Sequence, residues 1–182
     1  MYDTETSLTA SATVVSSTAH PYWQTMCDFV EGLGITIIFR QLHAPTFLPG
    51  LDLGPNCIYV DSEKLLYPGD LLHEAGHLAV TTAPQRAAVG SAALELPWPT
   101  DGEEIAAVLW SYAAAVHLEI PLEIVFHSEG YKNESGWLID HFQQKQFIGL
   151  PLLQWMGLCY DEQQAPLHQA QPFPVMRKWM RD

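Results

Sequence analysis

Asp70-Leu71-Leu72-His73-Glu74-Ala75-Gly76-His77-Leu78-Ala79 is the run on which the reading of this chain turns. Residues four apart on a helix lie on one face, one turn from each other. His73 and His77 therefore present two imidazoles to one point, where their nitrogens can meet a single ion. Imidazole is a good zinc ligand at about 2.0–2.1 Å. Glu74 sits beside His73 on the flank, within reach of the water position of such an ion rather than of the ion itself. Leu71, Ala75, Leu78 and Ala79 form an apolar stripe, so the helix is buried with or without metal. A pair of hydrogen-bonded core histidines is the competing reading. Composition argues against it: eight His and twelve Glu in 182 residues give about 0.02 chance matches to the pattern. Burying two His and a Glu on one helix is also costly without a partner.

The flanking sequence supplies the frame. Pro68-Gly69 is a break, and Asp70 is placed to cap a helix running to about Thr82. Upstream, Trp23, Met26, Cys27, Val30 and Leu33 recur at helical spacing between Pro21 and Gly34. Ile35 to Phe39 and Cys57 to Val60 are β-branched or apolar and predict strands. Residues 44–56, with Pro45, Pro49, Gly50, Gly54 and Pro55, predict a loop. Downstream, a long loop over 84–100 leads to a helix capped by Thr100 or Asp101 and reaching about Leu118. The segment from Pro121 stays unassigned. A turn follows at Gly130 to Gly136, then helices at Trp137 to Phe147 and Pro151 to Leu158, and a last strand at Phe173 to Met176. Trp137, Phe142, Phe147 and Trp155 are expected in the core. The order predicts an α+β fold: a small N-terminal β-sheet packed on the His73–His77 helix, with a mainly helical C-terminal part.

Composition narrows the function. Eight Lys and Arg stand against 21 Asp and Glu, a net charge of −13. Such a chain repels phosphate backbones, so no nucleic-acid partner is expected. The basic cluster Arg177, Lys178 and Arg181 fits a solvated tail pairing with nearby acids. Hydrophobic residues make up 48% of the chain, enough for a sizeable core. No apolar run approaches the ~20 residues of a membrane span. Cys27, Cys57 and Cys159 are an odd number without close spacing, which fits a reduced, cytoplasmic setting. Residues 1–18, rich in Ser, Thr and Ala and lacking a signal-peptide pattern, are expected to form a mobile leader.

His73-Glu74-Ala75-Gly76-His77 resembles the HExxH motif of the zincin metallopeptidases. The resemblance covers the run 70–79 and one further carboxylate. It implies a zincin-like metallohydrolase domain over residues 19–182, one Zn2+ per chain and a peptide or protein substrate. It also implies that Glu74 is the general base toward a zinc-activated water. A catalytic zinc takes three protein ligands and keeps one position open. The metzincin subclass places a third His six residues after the second; Ala83 stands there, which excludes it. The gluzincin subclass takes a Glu from a following helix, where Glu103 and Glu104 stand. The large apolar stripe of that helix is Ile105, Val108, Leu109, Tyr112 and Val116. At 100° per residue, Glu104 lies about 100° from its centre and Glu103 about 160°. Glu104 is the choice if the large residues face the His73–His77 helix; packing through the alanines (Ala106, Ala113, Ala114) would favour Glu103. Cys57 is a third option, by analogy with the upstream Cys of peptide deformylases, although its spacing differs.

Amide hydrolysis also needs a donor for the developing oxyanion. Val125-Phe126-His127-Ser128-Glu129-Gly130-Tyr131 offers His127 and Tyr131; Tyr112 and His117 are other donors. Cys57 to Val60 is the strand on which an extended peptide could align. The alternative function is a zinc-binding regulatory or interaction module without turnover.

Overall fold

The computed structural model describes residues 17–182. The leader expected over 1–18 lies outside the described residues except for Ser17 and Thr18. These open a 3-10 turn, Ser17–Ala19, and the Ser17 hydroxyl donates to the Leu66 carbonyl at 2.7 Å. Helix α1 (Trp23–Gly32) buries Trp23, Met26, Cys27 and Val30 along one stripe. Gly34 closes it at φ 84, a left-handed value that only glycine adopts freely.

Three short strands follow: β1 (Thr36–Phe39), β2 (Leu51–Gly54) and β3 (Cys57–Val60). Their spatial order is β1-β3-β2, with β3 parallel to β1 and antiparallel to β2. Strand β2 falls inside the stretch expected to be loop. It is only four residues long, between Gly50 and Pro55, and pairing rather than propensity makes it a strand. The connection to β3 is Pro55-Asn56, with Asn56 at φ 51. Because β3 is central and paired on both sides, it cannot accept a peptide as the sequence suggested; the edge strands are β1 and β2.

Helix α2 (Asp70–Val80) is buried at every residue. Gly69, not Asp70, occupies its N-cap position; a side chain at Gly69 would collide with the Ile124 carbonyl. The C-terminal carbonyls of α2, which have no partner within the helix, are met from elsewhere. Arg86, at the end of α3 (Ala83–Arg86), donates to the Leu78 and Thr81 carbonyls at 3.1 and 2.8 Å. The Arg181 backbone N–H donates to Ala79 at 2.8 Å and its guanidinium to Val80 at 3.2 Å. Arg181 is thus a helix cap and not part of a solvated tail.

Helix α4 (Asp101–His117) starts from a capping box in which Thr100 and Glu103 satisfy each other's backbone N–H groups. The remainder is helical: α5 (Leu122–Val125), α6 (Ser135–Gln143) and α7 (Leu150–Trp155). Helix α6 begins two residues earlier than its apolar spacing suggested and ends at Gln143, since Lys145 turns left-handed at φ 59. Phe142 is fully buried, but Trp137 and Trp155 are 47% and 73% exposed, so two of the four expected core aromatics lie outside. Phe173 to Met176 forms no strand; Met176 makes a lone bridge to Cys159. The molecule is a mixed α+β structure with a small sheet at its N-terminal side. Among the described residues no helix is long and apolar enough to cross a membrane.

Candidate metal centre

The centre is built by the contact between α2 and α4. Gly76 of α2 lies against Ala107 and Ser111 of α4, and the Ser111 hydroxyl donates to the Ala107 carbonyl at 2.7 Å and the Leu72 carbonyl at 3.3 Å. Small residues on both sides let the backbones approach closely. Glu104 precedes Ser111 by seven residues, about 20° away on the helix surface, and therefore points at the same helix. The large stripe does not face α2 as expected: Ile105 and Val116 are 41% and 42% exposed, and Tyr112 packs on Phe142, Phe147 and Phe173. Glu103 is held by Thr100, whose backbone N–H and hydroxyl both donate to it at 2.9 Å.

His73 Nε2 and His77 Nε2 lie 3.1 Å apart. Glu104 places Oε1 3.5 Å from the first and Oε2 3.4 Å from the second. Tetrahedral coordination with bonds of about 2.0–2.1 Å requires ligand atoms about 3.3–3.4 Å from one another. The His73–His77 separation is slightly shorter than that, each Glu104 oxygen comes close to it against one histidine, and one ligand atom from each of the three residues lies within 4.8 Å of the others. Burial pushes the His73 imidazole down to about 4, and burial together with His73 pushes His77 down to about 3. Both rings are neutral at neutral pH, so the contacts with Glu104 are not ion pairs: two imidazole nitrogens and a carboxylate converge on one point. Two imidazoles and a carboxylate are a donor set suited to zinc.

Glu74 is 8% exposed. Burial, followed by the charges of Asp70, Glu104 and Asp52, pushes its carboxyl up to about 8. A divalent cation at the triangle would oppose that rise, since opposite charge favours the ionised form. Neither histidine has a protein partner at Nδ1, whereas metal-binding imidazoles usually donate from their second nitrogen. Packing orients them instead, Tyr131 edge-on to His73 at 5.7 Å and Trp98 to His77 at 6.2 Å.

The other expected residues divide. Tyr131 sits beside His73 with its hydroxyl buried and without a partner. His127 is engaged: its Nε2 lies 2.9 Å from Asp70 Oδ1, and its ring stacks on Tyr67 at 3.7 Å. Asp70 is therefore a site-bracing residue that the sequence reading took for a cap. Tyr131, Lys132 and Asn133 are consecutive left-handed residues, at φ 53, 56 and 67; each costs about 1–2 kcal/mol. Such strain persists only where the surroundings fix it, and here it holds the Tyr131 ring over His73. Cys57 is a buried free thiol on β3 and is not in the group whose geometry could hold a metal ion, which comprises His73, His77 and Glu104. His117 packs on Phe29 and Trp179, and Tyr112 in the aromatic cluster named above.

Two clefts meet at Glu104. One, of about 450 Å³, is lined by Leu53, Val89, Leu94 and Trp98 together with Glu74 and His77. The other, of about 510 Å³, lies between α4 and α6. Phe47 borders both and is 96% exposed. Strand β2 contributes Leu51, Asp52 and Leu53 to the first. The chain matches no protein-family model, and comparison with curated proteins and with solved structures returned no match.

Proposed function

We propose that this chain is a zinc-dependent hydrolase of peptide bonds with a zincin-like, gluzincin-like site. The observation that carries the proposal is the triangle of His73 Nε2, His77 Nε2 and Glu104, with a buried carboxylate next to it and open clefts on either side. His73, His77 and Glu104 would hold the ion. Zinc, when bound, lowers the pKa of water and polarises a carbonyl oxygen.

The remaining work falls to the chain itself. Glu74 accepts a proton from the attacking water and later delivers it to the leaving nitrogen. The water oxygen bonds to the carbonyl carbon, the C–N bond breaks, and a carboxylic acid and an amine result. Tyr131, whose buried hydroxyl has no partner, is the donor for the oxyanion. His127 is a positioning residue, since Asp70 occupies it. An extended peptide would lie along β2, the edge strand that borders the first cleft.

Two variants test the assignment. His77→Ala removes a ligand and loses zinc by elemental analysis. Glu74→Gln keeps shape and zinc but abolishes cleavage of a broad peptide library. Equal loss of zinc in both variants would remove Glu74 from the role of base. Zinc retention by wild type without cleavage of any peptide would leave a zinc-binding module without turnover.

A further inference from the structure

Of the eight Lys and Arg side chains, all but one are committed within the described residues. Arg40, Lys64, Lys145 and Lys178 lie on carboxylates. Arg86, Arg177 and Arg181 lie on backbone carbonyls. Lys132 alone has no hydrogen bond or ion pair there. Its position is specific: it stands on the strained left-handed turn, at the border of the cleft between α4 and α6. Its charge is felt by Glu104, where it favours the ionised carboxylate.

The cleft that Lys132 borders is largely apolar, with Glu104 and Glu134 the other charged groups on its wall. Ile105, Trp137 and Ile148 line it while remaining 41%, 47% and 48% exposed, and Phe142 closes the floor. Its volume, about 510 Å³, suits a small ligand or one large side chain. Apolar walls weaken the hydration of an ion at their edge and strengthen a pair formed there. The rest of the surface argues for a particular occupant. With a net charge of −13, the molecule repels anions in general, and Glu104 and Glu134 add two carboxylates to this cleft, so an anion is held here only through direct contact with Lys132. Within a peptide, the residue that carries both a bulky apolar side chain and a carboxylate of its own is the C-terminal one.

We infer that the cleft between α4 and α6 takes the C-terminal residue of a peptide, its bulky apolar side chain against Trp137 and Ile148 and its free carboxylate on Lys132. This rests on the hydrolase reading for the bond that is cut: the amide preceding that residue. Water adds across it, the carbonyl carbon gains the hydroxyl and the nitrogen the proton. The products are a shortened peptide and a free apolar amino acid.

The test separates recognition from turnover. Zinc-loaded Glu74→Gln protein is titrated calorimetrically with acetyl-Ala-Ala-Phe as the free acid, as the C-terminal amide, and with Lys in place of Phe. The Phe acid is expected to bind about 5-fold or more tightly than the amide or the Lys peptide, as for a partly shielded ion pair. Lys132→Gln should abolish the preference for acid over amide without changing affinity for the amide, and Lys132→Arg should retain it. Equal binding of acid and amide, no binding of either, or an unchanged preference in Lys132→Gln overturns the inference. Wild-type protein is then incubated with the same peptides. Preferential binding of the acid without cleavage sinks the hydrolase reading and leaves C-terminal recognition standing. Cleavage of internal bonds with indifference to the terminal carboxylate does the reverse.

Discussion

A Cβ placed on Gly76 would lie 2.9 Å from the carbonyl oxygen of Ala107 and 3.3 Å from its Cα. Both obstructing atoms are backbone, so the helices themselves would have to part. Gly76→Ala is therefore expected to lose roughly 1–3 kcal/mol of stability by overpacking, more than the ~1 kcal/mol gained from alanine's helix propensity. Glu104, one turn from Ala107, should move with α4, weakening zinc binding about 10-fold or more. Denaturant titration and competition with a chromophoric chelator measure the two effects. Wild-type zinc affinity in this variant would show that the close crossing does not set the ligand geometry.

Adjacent glutamates should separate cleanly. Glu103→Ala breaks the capping box and should cost about 0.5–2 kcal/mol in unfolding free energy, with zinc affinity unchanged. Glu104→Ala should weaken zinc about 10-fold or more while leaving the metal-free protein as stable as wild type, because its half-buried carboxyl is already shifted upward by desolvation. The reverse pattern would make Glu103 the ligand.

The metal-free protein should be most stable near pH 6.5. His73 and His77 have folded pKa values of about 4 and about 3, below their unfolded value of about 6.5. As pH falls below 6.5 the unfolded chain binds more protons, and the stability from the neutral pair is lost. Glu74 works the other way: its folded value of about 8 lies above the unfolded 4.5. Its contribution is complete below pH 4.5 and is lost as pH rises through 8. Between pH 4.5 and 6.5 two histidines outweigh one glutamate; above 6.5 only the glutamate acts, with a slope of up to about 1.4 kcal/mol per pH unit. Urea unfolding from pH 5 to 8 in the presence of chelator measures this. Saturating zinc should remove the fall above pH 6.5. A flat metal-free profile between 6.5 and 8 would show that Glu74 ionises freely.

Arg86 meets the Leu78 and Thr81 carbonyls at the end of α2 from one guanidinium nitrogen, Nη1, and the Arg181 carbonyl from Nη1 and Nη2, a planar spread of donors that lysine lacks. Arg86→Ala should lower the melting temperature by roughly 3–8 °C, as expected for about 1–3 kcal/mol of lost carbonyl partners in a chain of this size. Arg86→Lys should recover less than half. Complete recovery by Lys would show that charge alone suffices.

The His-Glu-His run was legible because its chemistry lies within one helical turn. Glu104 was legible for an imperfect reason. The angle measured from the large stripe assumed that Ile105 and Val116 face α2, whereas they lie half exposed and the small residues Ala107 and Ser111 make the contact. Bulk marks burial, but close helix crossings are made where bulk is missing, and a single chain cannot show where its partner comes near. Asp70 was misassigned for a similar reason. Its chemistry suits a cap, and nothing local reveals His127, 57 residues away. Strand β2 exists only through β3, so four residues between prolines and glycines looked like loop.

The cap on α2 also has a consequence in time. His73 and His77 are made well before Arg181, which follows Arg86 by 95 residues. At ordinary synthesis speeds of 5–20 residues per second, that interval is about 5–20 s. Throughout it the nascent helix carries its paired imidazoles with the Ala79 and Val80 carbonyls still uncovered. A ribosome-bound chain thus passes through a state in which the histidine pair is already made while the carbonyls at the end of its helix still await their partners.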